Sequence, residues 1–162
     1  MKRAAVLALT LLAACTAKPD LAEIDRDIRA SYPQVSHVQV EELDALLGSA
    51  TPPLLLDTRS REEYEVSHLP GAHHAPDLAT AQPLLEPGRP TVLYCSVGWR
   101  SAILTADLLE AGATDVHNLQ GSIFAWANAG LPVHRDGAPV EEVHPFDSDW
   151  GVLLRRDLWT ED

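Results

Sequence analysis

Short apolar runs of three or four residues recur along the middle of this chain, each followed by a longer stretch with helical spacing. Leu54-Leu55-Leu56 reads as a buried strand ending at Asp57, Ala72 to Ala75 as a short strand after the Pro70-Gly71 turn, and Thr91 to Tyr94 and Val116 to Leu119 as two more. Between them, Ser60 caps a helix over Arg61 to Val66 with Glu63 in the capping-box position, and Asp77 to Leu85 reads as a helix despite Pro83. Ala102 to Ala111 is a helix closed by Gly112, and Ser122 to Ala129 one closed by Gly130. Upstream, His37 to Val40 reads as a first edge strand and Glu41 to Leu47 as a helix that stops at Gly48. Apolar strands too short to alternate, separated by helices, imply a parallel sheet covered on both faces. The fold class is therefore α/β.

The two ends of the chain depart from this alternation. Leu21, Ile24 and Ile28 recur at helical spacing from Asp20 to Ala30, with Asp20 as N-cap, which predicts a short amphipathic helix packing onto the domain and ending at Tyr32-Pro33. After Pro132 the segment Arg135 to Asp149 is polar, with Pro139 and Pro145. Trp150, Leu153, Leu154 and Leu158 then have the spacing of a terminal helix docked on the domain, with a partner-binding helix as the alternative reading. Trp150 and Trp159 are expected to be packing anchors, as are Phe124 and Trp126 in the last helix of the alternating region.

Met1-Lys2-Arg3 supplies a positive start and Ala4 to Leu12 an apolar run too short to span a bilayer, the pattern of a signal peptide. Its end, Leu12-Ala13-Ala14-Cys15, resembles the bacterial lipobox, in which the cysteine is lipidated and becomes the first mature residue. The competing reading is an ordinary secretory peptide cleaved near Ala14 or Ala17, and both readings export the protein. With the lipobox, 1–14 is removed, 15–33 forms a tether and N-terminal helix, 34–134 the main domain and 135–162 a C-terminal extension. The implied location is a membrane-anchored lipoprotein facing the periplasm. Thr16, where the resembling class would use Asp for inner-membrane retention, points to the outer membrane.

The 162 residues carry 12 basic and 24 acidic side chains, and removing Lys2 and Arg3 with the leader leaves 10 against 24, a net charge of −14. No basic stripe is available to neutralise phosphates, so nucleic acid is excluded as an expected partner, and the acidity favours a soluble monomer. Cys15 and Cys95 have separate jobs, which leaves no disulfide to expect. His73-His74 cannot easily chelate one ion, because adjacent strand residues point to opposite faces, so no metal is expected.

Candidate chemistry concentrates at Cys95-Ser96-Val97-Gly98-Trp99-Arg100-Ser101, between a predicted strand and a predicted helix. A thiol there meets unpaired backbone N–H groups and the positive end of the helix dipole, both of which favour thiolate. Gly98 suits a tight loop that needs positive φ and close backbone approach. Arg100 adds a cation at the end of the loop, either facing substrate or bracing the loop through a carboxylate. Asp57 and Arg59 end a strand on the side of the sheet where parallel α/β folds place their sites, and bracing is the favoured role, with Arg59 pairing an acid such as Glu63. His68 belongs to a turn motif and is expected to pack or hydrogen-bond. A cysteine hydrolase using Cys95 with a remote His and Asn118 is possible in principle, but no residue pattern specifies it.

Together Leu56-Asp57-Thr58-Arg59, Glu63-Tyr64, Ser67-His68-Leu69-Pro70-Gly71-Ala72, Cys95 to Ser101, and Asn118-Leu119-Gln120-Gly121-Ser122 with Trp126 resemble the successive signatures of a single-domain rhodanese-like sulfurtransferase. The resemblance covers about Gln34 to Val133. It implies that Cys95 carries sulfane sulfur as a persulfide, without a cofactor, inside a cradle formed by Ser96 to Ser101. The donor would be a small sulfur-containing anion such as thiosulfate, or a thiol persulfide, and the acceptor cyanide, glutathione or a protein thiol. Cysteine phosphatases of related design place the arginine one residue further from the cysteine. By resemblance, the shorter gap from Cys95 to Arg100 favours sulfur transfer over phosphate or arsenate chemistry. Val97 stands where many thiosulfate-using relatives carry Arg or Lys, and Trp99 adds an apolar wall, so polysulfide or thiol persulfide donors stay open. A non-catalytic module that binds a partner, or senses sulfide or oxidation through Cys95, is the alternative from another class.

Overall fold

A computed structural model of the chain describes residues 20–160. The leader, Cys15 and the tether to Pro19 lie outside the described residues. The elements run α1 (Leu21–Ser31), β1 (Ser36–Val38), α2 (Val40–Leu47), β2 (Leu54–Asp57), α3 (Arg61–Val66), β3 (His73–His74), α4 (Leu78–Ala81), β4 (Thr91–Tyr94), α5 (Trp99–Glu110), β5 (Val116–Leu119) and α6 (Ser122–Asn128). A hairpin of β6 (Val133–Arg135) and β7 (Ala138–Val140) and the one-turn α7 (Ser148–Gly151) follow. The first five strands form one parallel sheet in the order β1-β5-β4-β2-β3. Central strands β2 and β4 are buried at every position.

Side-chain alternation divides the interior into two layers. Leu55, Val92 and Tyr94 face one side with Ile24 and Ile28 of α1 and with Phe124 and Trp126 of α6. Leu54, Leu56 and Leu93 face the other with Leu104 and Leu108 of α5. Helices thus cover both faces, as the strands' unbroken apolar runs require. Two predicted caps form: Asp20 Oδ1 accepts from Glu23 N at 2.7 Å, and Ser60 and Glu63 exchange the reciprocal bonds of a capping box.

Several boundaries move. The first strand begins at Ser36, and Val40 already opens α2. The expected strand over Ala72 to Ala75 contracts to His73–His74. The expected helix from Asp77 to Leu85 becomes α4 followed by a 3-10 turn, Gln82–Leu84, because Pro83 has no N–H for an α-helical bond. α5 begins at Trp99, three residues ahead of the expected Ala102, so the second half of the cysteine loop is the first turn of the helix.

The single terminal helix expected from Trp150 to Trp159 does not form. α7 ends at Gly151, and only a 3-10 turn, Arg156–Leu158, follows. Asn128 at the end of α6 takes the backbone groups a helix would have used: its Nδ2 donates to Leu153 O at 2.8 Å, and its Oδ1 accepts from Arg155 N at 2.8 Å. Trp159 folds back so that its Nε1 donates to Leu154 O, and its ring packs against Gly151, where a Cβ would lie 2.6 Å away. The extension still packs on the domain through buried Leu154 and Val143. The β6–β7 hairpin lies in a stretch with no predicted strand, and its turn is Asp136-Gly137, both at positive φ.

Candidate active site

Cys95 follows the last residue of β4, and α5 starts four residues later, so the intervening backbone turns sharply. Gly98 makes that turn at φ +114 and donates its N–H to Cys95 Sγ at 3.1 Å. A side chain there would be strained and would meet Ile28 Cδ1 at 3.1 Å, because α1 packs beneath the loop. The loop's own carbonyls are satisfied from outside. Ile123 N and Phe124 N, in the first turn of α6, donate to Cys95 O and Ser96 O, each at 3.1 Å, while Asn118 Nδ2 donates to Gly98 O at 3.1 Å. Ser122 Oγ accepts from Cys95 N at 3.1 Å. With these carbonyls held by α6 and β5, the loop keeps the Gly98 amide turned toward the sulfur.

Arg100 and Glu63 form the principal charged contact. Arg100 Nη1 and Nη2 donate to the two Glu63 carboxylate oxygens at 2.7 and 2.8 Å, and Nη2 also donates to Ser96 Oγ at 2.9 Å. Ser96 Oγ in turn donates to Glu63 Oε1 at 3.0 Å, and Ser60 N to Oε2 at 3.0 Å. Burial alone would raise the Glu63 carboxyl, but Arg100 with the Ser60 amide overcomes it and holds the group at about 2. For the Cys95 thiol, burial is again the largest influence and opposes ionisation. The Arg100 guanidinium, the Ser101 amide and hydroxyl, and the Gly98 amide together outweigh it, so the thiol lies below its ordinary value. A fully buried sulfur thus gains thiolate character from fixed donors without a neighbouring general base.

Asp57 and Arg59 form a separate, completely buried pair. Arg59 Nε and Nη2 donate to the Asp57 carboxylate at 2.9 and 2.6 Å, Arg59 N donates to Asp57 Oδ1 at 3.0 Å, and Nη2 donates to Ser67 O at 2.6 Å. The expected partnership of Arg59 with Glu63 is therefore corrected, since Arg59 pairs with Asp57 and Glu63 is committed to Arg100. The pair adjoins the loop through β4: Thr58 N donates to Tyr94 O, and the Arg59 guanidinium carbon lies 5.8 Å from the centre of the Tyr94 ring. His68 stacks on Tyr64 and its Nδ1 contacts Tyr64 O, a packing role. Among the described residues no group of three or more His, Cys, Asp or Glu is arranged to hold a metal.

A cavity of about 380 Å³ opens above the sulfur. Cys95, Ser96, Val97, Trp99 and Arg100 line it from the loop and the start of α5, and Phe146 and Trp150 line it from the C-terminal extension. Among the described residues no histidine lines it, and Asn118 is occupied by the Gly98 carbonyl, which leaves a cysteine-hydrolase arrangement there without its base. Phe146 and Trp150 were not legible as site residues, because no local pattern ties a segment 50 residues downstream to the loop. Glu63 carried a signal, its capping-box position, but that signal pointed to the helix and not to Arg100.

Residues 39–129 match the family model for the Rhodanese-like domain. The chain is 33% identical over 101 residues to a sulfurtransferase of Allochromatium vinosum, a match covering 61% of this chain and 94% of that one. It is 34% identical over 110 residues to the probable adenylyltransferase/sulfurtransferase MoeZ of Mycobacterium tuberculosis, covering 65% of this chain and 28% of MoeZ. The chain thus spans little more than a quarter of that larger relative. Among solved structures it is similar to a thiosulfate sulfurtransferase of Pseudomonas aeruginosa, with a TM-score of 0.61 and 26% identity over 69% of this chain and 22% of the other. The β6–β7 hairpin and the extension that walls the cavity fall outside the matched family region.

Proposed function

This chain belongs to the rhodanese-like family, whose relatives include sulfurtransferases, and we propose that it moves sulfane sulfur from a donor to a nucleophilic acceptor through a Cys95 persulfide. The observation that carries this reading is the Gly98 N–H directed at Cys95 Sγ from 3.1 Å, at the N-terminus of α5 and beside Arg100. Donors placed there favour the attacking thiolate. They favour equally the anionic outer sulfur that replaces it.

In the first half-reaction, Cys95 thiolate attacks the outer sulfur of the donor. A sulfur–sulfur bond forms at Cys95 while the donor's own bond to that sulfur breaks, and its electron pair leaves with sulfite or a thiolate. In the second, an acceptor such as cyanide, glutathione or a protein thiol attacks the outer sulfur and restores the Cys95 thiolate. Phosphate chemistry is less well served. The guanidinium that would clamp a dianion is already held at both ends by Glu63. Incubation with a sulfane donor is expected to add about 32 Da to the chain, one sulfur atom, and Cys95→Ala to abolish the adduct. No adduct with thiosulfate, polysulfide or a thiol persulfide would sink the reading. A single loading without turnover in excess acceptor would favour a sulfide sensor instead.

The same proposal sets the enzyme outside the cytoplasm, tethered by lipid at Cys15, on the grounds of the Met1 to Cys15 pattern. Expressed in a Gram-negative host, the chain is expected in the membrane fraction, and Cys15→Ser in the soluble or precursor form. Equal partitioning of the two would refute the tether.

A further inference from the structure

Among the described residues the cavity above Cys95 has one cation on its walls, Arg100, and two of its lining residues, Phe146 and Trp150, come from outside the region that matches the family model. Both terminal nitrogens of Arg100 donate to Glu63 or Ser96, and one face of the guanidinium is covered by the Phe146 ring, 5.0 Å from the guanidinium carbon to the ring centre. A dianion entering the cavity would compete with the Glu63 carboxylate for that one cation. Much of the remaining lining is carbon, from Val97, Trp99, Phe146 and Trp150.

Phe146 is held where it is. Its backbone has φ +70, a conformation that bulky residues rarely adopt, and two local bonds enforce it: Phe146 N donates to His144 Nδ1 at 2.9 Å, and Asp147 N to Pro145 O at 3.0 Å. Asp147 then caps α7, which presents Trp150. Despite its size the Phe146 side chain remains 44% exposed, so it is aimed across the cavity mouth and not into the core. A volume near 380 Å³ falls in the range that takes a small organic molecule, roughly 300–1,000 Å³. Cys95 is only 1% exposed at the bottom, so the donor must also be slender enough to reach down to it.

Building on the sulfurtransferase reading, we propose that Phe146 and Trp150 make this protein selective for low-molecular-weight organic persulfides with an apolar or aromatic carbon group, R–S–SH, over inorganic thiosulfate. The R group lies between Trp99, Phe146 and Trp150, with the sulfane sulfur directed at Cys95. The thiolate attacks that outer sulfur, a Cys95 sulfur–sulfur bond forms, and the R–S to S bond breaks with its electron pair on R–S⁻. The proton of the transferred S–H passes to R–S⁻ through water. R–SH departs, leaving the Cys95 persulfide anion among the loop amides. One sulfane sulfur changes carriers, and no external oxidant or reductant is consumed.

The test uses the full-length chain purified in mild detergent, with benzyl persulfide, glutathione persulfide and thiosulfate as donors and cyanide as common acceptor. Loading of Cys95 is followed by peptide mass and turnover by kcat/KM. Benzyl and glutathione persulfide share the reacting S–SH group, so their ratio reports on the walls. The expected ratio is at least about tenfold in favour of benzyl. Phe146→Ala is expected to lower it about tenfold through KM, the loss that goes with roughly 50 Å² of apolar contact. Phe146→Lys, equally tolerable at an exposed position, should lower turnover of benzyl persulfide and raise that of thiosulfate. A benzyl preference below twofold, or both variants leaving the donor ratios unchanged, overturns the proposal while sulfur transfer itself stands. Failure of all three donors to load Cys95 would remove the sulfurtransferase reading, and this inference with it.

Discussion

Replacing Glu63 with Gln keeps the shape of the side chain but removes the charge that holds the cysteine loop to α3. Glu63 is 3% exposed and meets four donors: both terminal nitrogens of Arg100, the Ser96 hydroxyl and the Ser60 amide. Its carboxyl is moved from an ordinary 4.5 to about 2. At about 1.4 kcal/mol per unit, that displacement corresponds to roughly 3 kcal/mol of folding stability. The bonds give a similar figure. Two charge-assisted contacts at about 1.5–3 kcal/mol each, discounted because the Arg100 side chain is 35% exposed, again come to about 3 kcal/mol. The folded carboxyl is more acidic than the unfolded one, so this stabilisation is complete above pH 4.5 and is lost as pH falls through about 2. Urea unfolding of wild type and Glu63→Gln should therefore differ by about 3 kcal/mol at pH 7, with the gap closing as pH approaches 2. A difference below about 1 kcal/mol at pH 7, or one that does not change with pH, would refute the reasoning.

Three further outcomes follow from the same geometry. The rate of iodoacetamide alkylation of Cys95 should rise with pH through an inflection below the ordinary thiol value of 9, and Arg100→Gln should move that inflection upward; no movement would remove Arg100 from the account of the thiolate. Gly98→Ala forces a side chain into φ +114 and against Ile28 Cδ1, and is expected to cost about 1–3 kcal/mol in thermal or urea unfolding and to raise the same inflection by displacing the 98 amide. Asp57→Asn leaves the Arg59 guanidinium buried with a neutral partner and should cost about 3–5 kcal/mol, most of it recovered in Asp57→Asn/Arg59→Met, as read by urea unfolding.

How far the chain could be read in advance depended on how local each signal was. The strand at Thr91 to Tyr94, the positive φ at Gly98 and the Ser60–Glu63 capping box are short-range features, and each lies within a few residues of what creates it. The parallel sheet followed from apolar runs whose two faces are both covered. Glu63 and Arg100 are 37 residues apart, and their pairing depends on how α3 and the loop meet across the sheet edge. Between two nearby acids, spacing alone could not tell which arginine each would take. The terminal segment shows the converse error. Its helical periodicity was real, yet Asn128 on another helix captured the Leu153 and Arg155 backbone and turned the segment into separate turns. The same turns bring Phe146 and Trp150 to the cavity, so the part of the site most specific to this chain was the least legible.

The central claim is that transferred sulfur passes through Cys95 in every turnover, and a donor isotopically labelled in its transferable sulfur tests it most directly. In rapid-quench samples the account predicts label on the Cys95 peptide before any appears in product, then chased into the acceptor at the rate of turnover. Label reaching the acceptor without passing through Cys95, or loading Cys95 and remaining there in excess acceptor, would contradict it.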